Sequence, residues 1–176
     1  MSDSLITIVA IFLAAILMFV FPLMSVAERS DDISQLSAQT ATTEFVDTTR
    51  TTGKITWTNY NNLITTLAAT GNAYTVDMEV KIKDENVGKK SAWTSGTVIG
   101  ENVYYSVYTT QILDEMEKGG ESGVYKLKEG DIFSASVKNT NTTLAQSIRS
   151  IFYSISGSGT SQVAAQHSGV VTSNAK

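Results

Sequence analysis

The residues that could do chemistry are few in this sequence, and their spacing matches no common catalytic arrangement. The chain of 176 residues has no cysteine and one histidine, His167. Thiolate metal sites are therefore excluded, as are most zinc sites and Ser-His-Asp relays, which need several histidines or a paired base. His167 lies in SQVAAQHSGVVTS, a segment typical of a β-strand, where a lone histidine is usually structural or exposed. We expect no enzymatic activity, no metal and no cofactor.

Three other polar patterns have simpler explanations than a site. Asp114, Glu115 and Glu117 lie on a predicted helix without the alternating oxygen ligands of a calcium loop, so they indicate a solvated face. The SGSG segment at 156–159 is followed by no lysine and falls between a helix and a strand, the reverse of a phosphate-binding loop. The glycosylation triplet at 141–143 is short enough to arise by chance.

The charge balance argues against a nucleic-acid partner. The net charge is −4, and the longest basic cluster is the pair Lys89-Lys90. A nucleic-acid-binding protein usually has a basic patch or stripe. With chemistry and nucleic acid set aside, function has to be inferred from the elements of the chain.

The first element is an uncharged run of 24 residues from Ser4 to Ala27, SLITIVAIFLAAILMFVFPLMSVA. As a helix it would extend about 36 Å, enough for a hydrocarbon core of about 30 Å. Fourteen of its residues are Leu, Ile, Val or Phe. At about −0.3 to −0.6 kcal/mol each, they favour insertion by roughly 4 to 8 kcal/mol before the cost of the polar residues. The run predicts a membrane helix.

Two alternatives to a membrane helix fit less well. A secretory signal would have basic residues before a shorter apolar core, and none precede this run. A buried helix of a soluble protein would not be apolar on every face. The orientation is weakly determined, because Arg29 alone follows the run and leans toward a cytoplasmic C-terminus. A basic leader removed before Met1 is a second hypothesis, testable by N-terminal sequencing against the open reading frame.

Residues 28–53 are predicted to continue the helix as a polar segment. They contain neither glycine nor proline before Gly53, a plausible terminator. The only proline, Pro22, would bend the rod of nearly 50 residues. A lone polar helix of this length is marginal in water, so it needs the head or neighbouring copies to pack on. Small residues (Ser34, Ser37, Ala38, Ala41, Thr42) could allow close approach of helices or form a solvated surface. The packing candidates, which form no clean stripe, are Ile33, Leu36, Ala41 and Phe45.

Residues 54–176 predict an α+β head, one antiparallel sheet covered by helices on one side. The segment AYTVDMEVKIKD alternates as a half-buried strand does, with its apolar residues on one face: Val76, Met78, Val80 and Ile82. A short helix, NYNNLITTLAAT, is expected to begin at a Thr56 or Thr58 cap, to end at Gly71 and to bury Leu63, Leu67 and Ala68.

The remaining head elements are a loop, three strands, two helices and the final strand around His167. The loop covers residues 84–102 and includes Trp93, as a core cover or an exposed contact. A strand ending at Tyr108 leads into a helix over 109–118, then into strands VYKL and DIFSASVKN, the latter with Phe133, Ala135 and Val137 inward. A helix capped by Asn141 or Thr142 follows, and its apolar face consists of Leu144, Ile148, Ile151, Phe152 and Ile155.

The order of these elements resembles the mature subunits of type IV filaments. An N-terminal membrane helix, a proline at position 22, a polar continuation and a small α+β head are shared with that family. The stretch ITWTNYNNLITTLAATGNAYTVDMEV is similar to pilin-like proteins of Tad-type pilus and secretion systems. Only Pro22 transfers residue by residue, as the proline that bends the N-terminal helix in the family.

The resemblance implies a homo-oligomeric filament whose core is a bundle of N-terminal helices with the heads outside. It implies storage in the inner or cytoplasmic membrane, an assembly ATPase with a platform protein, and delivery to the bacterial cell surface. The assembly residues are then Asp3, Leu5, Leu13, Leu17 and Pro22. The family usually has glutamate where this chain has Leu5, and Asp3 is the nearest carboxylate that could replace it.

Two other functions remain open from the sequence. One is a monomeric single-pass membrane protein whose head binds a partner within a secretion machine. The other is a small exported binding module that uses the helix as an anchor only. Polymers containing the chain in sheared surface material would distinguish the filament subunit from both.

Overall fold

The computed structural model describes residues 2–83, 104–120, 123–153 and 164–175, and shows a long N-terminal apolar helix followed by a small α+β head. The predicted loop at 84–102, with Trp93, lies outside the described residues, as does the SGSG segment. The elements in chain order are α1 (Ser2–Thr52), β1 (Lys54–Thr56), α2 (Trp57–Ala68), β2 (Tyr74–Lys83), β3 (Tyr104–Tyr108), α3 (Thr109–Lys118), β4 (Val124–Lys126), β5 (Ile132–Asn139), α4 (Leu144–Tyr153) and β6 (Ala164–Val170).

Helix α1 is a single helix that continues through Pro22 and ends where the sequence predicts, before Gly53. Gly53 adopts φ +67°, a left-handed conformation that favours glycine. A Cβ added there would collide with the backbone oxygen of Ser173. The end of α1 therefore requires glycine both for its backbone angle and for the close approach of the C-terminal segment.

The main sheet has four antiparallel strands in the order β3-β2-β5-β6. Its register places Val80 between Val107 on β3 and Phe133 on β5. The predicted alternation along β2 is confirmed, with three residues buried and Ile82 partly buried. The inward residues predicted on β5 are also buried: Phe133, Ala135 and Val137.

A second, two-stranded sheet was not expected from the sequence. Strands β1 and β4 pair antiparallel, with Ile55 opposite Tyr125. The prediction of one sheet is therefore wrong. Each of these strands is three residues long, too short for a period of two to be recognised in the sequence.

The boundaries of α2 and α3 follow their predicted caps. In α2 the backbone N–H of Asn59 donates to the Thr56 hydroxyl over 3.2 Å, and Leu63 and Leu67 are buried. Ala68 is exposed, contrary to expectation, because it lies in the last turn beyond the contact. Helix α3 covers residues 109–118 as predicted and buries Ile112 and Met116.

Helix α4 begins at Leu144, one or two residues later than expected, with Thr143 as its cap. The backbone N–H of Gln146 donates to the Thr143 hydroxyl over 3.3 Å, and the Thr143 N–H donates to the Gln146 side chain over 3.1 Å. This reciprocal pair is a capping box. Asn141, one of the predicted caps, instead accepts a hydrogen bond from the N–H of Ala73 over 2.8 Å.

The predicted apolar face of α4 is only partly correct. Ile148 is buried, whereas Leu144 is 59% exposed. Ala145 and Gln146 are buried instead, because the helix presents these positions to its neighbour. The side chains of Ile151 and Phe152, and the whole of Ile155, lie outside the described part of the chain.

One core joins α1 to the head. Phe45 on α1 contacts Phe133 on β5 edge to face, with ring centroids 5.7 Å apart. Val46 on α1 and Ile55 on β1 are fully buried in the same cluster. The polar continuation of the N-terminal helix therefore packs into the hydrophobic core of the head.

The core also holds Tyr125, whose raised pKa is expected to lower the stability of the head at alkaline pH. Burial, then Glu115, Tyr105 and Asp131, raise the pKa of Tyr125 from 10.0 to about 12. Below about pH 10 the hydroxyl is neutral in both states, so it adds no pH dependence to stability. As the pH rises from about 10 to about 12, the unfolded chain loses this proton before the folded chain, so the free energy of unfolding should fall. Urea unfolding at several alkaline pH values would measure this, and Tyr125→Phe should show a smaller fall; an equal fall would contradict the assignment.

Candidate assembly surface of the N-terminal helix

One face of α1 lies against the head. Its buried positions recur at intervals of three and four residues, as expected for one helix face. The sequence marked five of its seven members, as small residues or as packing candidates, but did not join them into one stripe, because most are small or polar and hydropathy does not mark them. The buried residues on this face are Ser34, Ala38, Ala41, Thr42, Phe45, Val46 and Thr49.

Polar side chains of α1 also bind the outer edge of β6. Gln35 donates to the carbonyl of Ala164 over 2.6 Å and accepts from its N–H over 3.0 Å. Arg50 Nε donates to the carbonyl of Val170 over 2.9 Å. These bonds satisfy backbone groups that an edge strand leaves unpaired. They orient α1 relative to the head.

His167 is part of this contact. Its Nε2 lies 3.4 Å from Asp47 Oδ1, which also accepts a hydrogen bond from Arg50 Nη1 over 2.9 Å. All three side chains are partly exposed at the junction of α1 and β6. His167 is therefore explained as a structural contact between β6 and α1.

The four packing candidates divide between two faces of α1. Ala41 and Phe45 are buried against the head, whereas Ile33 and Leu36 are each 64% exposed. Leu36 precedes Phe45 by nine residues, so the two lie about 180° apart around the helix. Large apolar side chains therefore point away from the head, in a segment that is otherwise polar.

Ile33 continues a regular pattern along α1. Large apolar residues occur at every seventh position, and each is 64% to 70% exposed. We call these residues the heptad seam: Leu5, Phe12, Phe19, Val26 and Ile33. Ile8 and Leu36 lie three residues after the first and last of them and are exposed by 68% and 64%. A seven-residue repeat is the pattern by which helices pack with a left-handed supercoil.

The signal for this seam was present in the sequence but was hidden by the surrounding apolar residues. Between residues 4 and 27 every face is apolar, so a sevenfold spacing does not stand out. Only the exposure of Ile33 and Leu36 beyond that run makes the repeat visible.

The N-terminal part of α1 is long and apolar enough to span a membrane. Its most hydrophobic 18-residue window has mean hydropathy 2.9, and none of that window is buried against the described residues. Leu13 and Leu17 are 52% and 55% exposed. Asp3 lies in the first turn of the helix, and its side chain is outside the described part.

Pro22 lies where the head first reaches the apolar run. Val20, Met24 and Ala27 pack against Ala145 and Ile148 of α4. Since proline has no N–H, it leaves the carbonyl four residues earlier without its helical donor. Helix α4 is thus beside the turn of α1 that lacks one helical hydrogen bond.

The described residues contain no group of three or more His, Asp or Glu side chains that could hold a metal ion. No family model, curated protein or solved structure matches the chain. The function is therefore argued from the two faces of α1.

Proposed function

We propose that the chain is a structural, pilin-like subunit that polymerises through α1 into an extracellular filament. It is held in the inner or cytoplasmic membrane before assembly and is then packed helix to helix, with the head on the outside. The observation that supports this proposal best is the heptad seam, which continues beyond the apolar run to Ile33 and Leu36.

Lipid can cover the exposed apolar side chains of α1 only within the thickness of the membrane. Glu28, Asp31 and Asp32 place the water boundary near residue 28, because charged residues are costly within the hydrocarbon. Ile33 and Leu36 lie more than one helical turn beyond that boundary and are exposed in the single chain. Burying a side chain of this size contributes about 1.5–3 kcal/mol when it is complete. A neighbouring helix would supply that burial.

In the proposed filament, the helices of neighbouring copies also replace lipid around the apolar run. Removing the run from the bilayer would otherwise forfeit the roughly 4 to 8 kcal/mol of insertion free energy. Side chains from neighbouring copies are as apolar as lipid tails, so extraction into a helix bundle preserves most of that term. In this proposal an assembly ATPase and a platform protein, implied by the resemblance, drive the transfer.

The runner-up function is a monomeric membrane-anchored accessory protein whose head binds a partner. The observation that favours it is a group of exposed aromatic side chains on β3, an outer strand of the main sheet within the described residues: Tyr104, Tyr105 and Tyr108. Tyrosine is enriched at protein interfaces. In this function the apolar run of α1 contacts lipid and no neighbouring copy.

Cross-linking in sheared surface material separates the two functions. The chain has no cysteine, so Ile33→Cys introduces a single thiol on the seam. We expect filaments by electron microscopy and dimers of the subunit after treatment with a short bismaleimide. Asn62→Cys, on the exposed side of α2, is the matched control and should cross-link less.

The two failures are distinguishable. Surface material that lacks polymers of this chain, in cells that make the whole apparatus, would reject the filament function. Filaments in which the Ile33 thiol cross-links no better than the Asn62 thiol would retain the filament but reject the heptad seam as its interface.

A further inference from the structure

The part of the apolar run that is free of the head on every face is shorter than the hydrocarbon core of a bilayer. From Val20 onward α4 covers one face only, and Phe21, Leu23 and Val26 stay 51% to 68% exposed. Ser4 to Phe19 comprises 16 residues before the first contact with α4. At 1.5 Å per residue this segment extends about 24 Å, whereas the hydrocarbon core is about 30 Å thick. A further four residues are needed, which places the hydrocarbon boundary near Leu23 and Met24.

Helix α4 is at that level. Ala145 and Ile148 pack against Ala27, with Val20 and Met24 at the edge of the same cluster. Thr143, the cap of α4, donates to Asp31 Oδ2 over 2.7 Å. The start of α4 is therefore beside Asp31, and its contacts extend toward Val20, two turns inside the uncharged run.

The composition of α4 suits the surface of a membrane. Its sequence, LAQSIRSIFY, contains one arginine and no acidic residue. The nearby carboxylate of Asp31 on α1 is engaged by the cap of α4. Apolar residues with a cation and no acid are favourable next to lipid headgroups, because apolar area and positive charge both contribute to binding there.

We infer that α4 lies in the headgroup region of the bilayer while the subunit is in the membrane, and that it sets the depth of the anchor. The inference rests on the proposed membrane-stored subunit. Because α4 is joined to α1 by buried contacts and by the bond to Asp31, deeper insertion would draw the whole head toward the hydrocarbon. The lipid surface, rather than a second protein, is the occupant, since the contact continues directly from the span.

Spin labels in the full chain test the depth. Single cysteines replace Ser147 or Ser150, both exposed on α4. Phe12→Cys reports the hydrocarbon, and Asn61→Cys, exposed on α2, reports bulk water. The chain is reconstituted at high lipid-to-protein ratio in vesicles of phosphatidylcholine and phosphatidylglycerol. Collision rates with oxygen and with a water-soluble nickel chelate are then measured.

We expect the labels on α4 to collide with the nickel chelate several-fold less often than the Asn61 label, and with oxygen less often than the Phe12 label. Equal nickel accessibility at Ser150 and Asn61, with the Phe12 label shielded, would overturn the inference and leave the anchor intact. A water-accessible Phe12 label would overturn the anchor itself. Shielding of Ser150 only at high protein density would assign the face to a second copy and would also overturn the inference.

A variant of the cap tests whether α4 is held at this depth by α1. Thr143→Val removes both the helix cap and the bond to Asp31, so the Ser150 label should become several-fold more accessible to nickel. Thr143→Ser keeps the hydroxyl and should restore the shielding. An unchanged Ser150 signal in Thr143→Val would show that the bond to Asp31 does not position α4, and would overturn the role of α4 in setting the depth.

Discussion

Replacing Leu17 with aspartate is expected to abolish filaments while the chain remains in the membrane. Leu17 is 55% exposed on α1 within the apolar run. An aspartate there costs about 2.5 to 3.5 kcal/mol on the insertion scale. This cost is smaller than the roughly 4 to 8 kcal/mol by which the apolar residues favour insertion. In a packed helix bundle the same charge would be buried without a partner, which costs several kcal/mol more and recurs in every subunit. Leu13→Asp should behave in the same way.

The measurement needs two readouts from the same cells. Carbonate extraction of membranes reports insertion, and electron microscopy of sheared material reports filaments. Leu17→Met conserves volume and polarity, so it should retain both. Normal filaments from Leu17→Asp would refute the packing role of the apolar run. Loss of the chain from the membrane would instead show that insertion is weaker than its composition indicates.

Phe45→Ala is expected to destabilise the head by about 3–5 kcal/mol, the usual cost of removing a buried phenylalanine. Phe45 is 4% exposed and contacts Phe133 edge to face. Its removal leaves a cavity where α1 meets the sheet, and both elements are held by the bonds of Gln35 and Arg50 to β6. The surroundings therefore have little freedom to close around the cavity.

Chemical unfolding in detergent, followed by tryptophan fluorescence, would measure this loss. Ile33→Ala is the matched control on the same helix, because Ile33 is 64% exposed. Surface substitutions usually change the free energy of unfolding by no more than about 0.5 kcal/mol. Equal effects of the two substitutions would contradict the separation of α1 into a head-facing and an outward face.

The two faces predict opposite phenotypes. Ile33→Ala should leave the stability of the head unchanged and weaken filaments, whereas Phe45→Ala should destabilise the head irrespective of assembly. In the proposed filament, one helix would thus serve two kinds of packing. Ala38 and Thr42 are buried against the head, while Ile33 and Leu36 remain exposed and would contact a neighbouring copy.

The local patterns of the chain were sufficient for most of the fold. The long apolar helix, its end at Gly53, the alternation along β2 and the helix over 109–118 all follow from neighbouring residues. Such features depend on hydropathy period, capping and backbone freedom, which are properties of short segments. Even the cap of α4 was missed by only one or two residues, because Asn141, Thr142 and Thr143 are equally suited to that position.

The faces of α1 were decided only by the tertiary structure. Close contact between a helix and a sheet selects small side chains, so the head-facing stripe contains Ser34, Ala38 and Thr42, which hydropathy reads as surface. The level at which α4 contacts α1 was equally hidden, because it depends on which turn of α1 receives Ala145 and Ile148. A sequence pattern indicates what one segment would bury, but the partner and the level of contact are set by residues that are distant in the sequence.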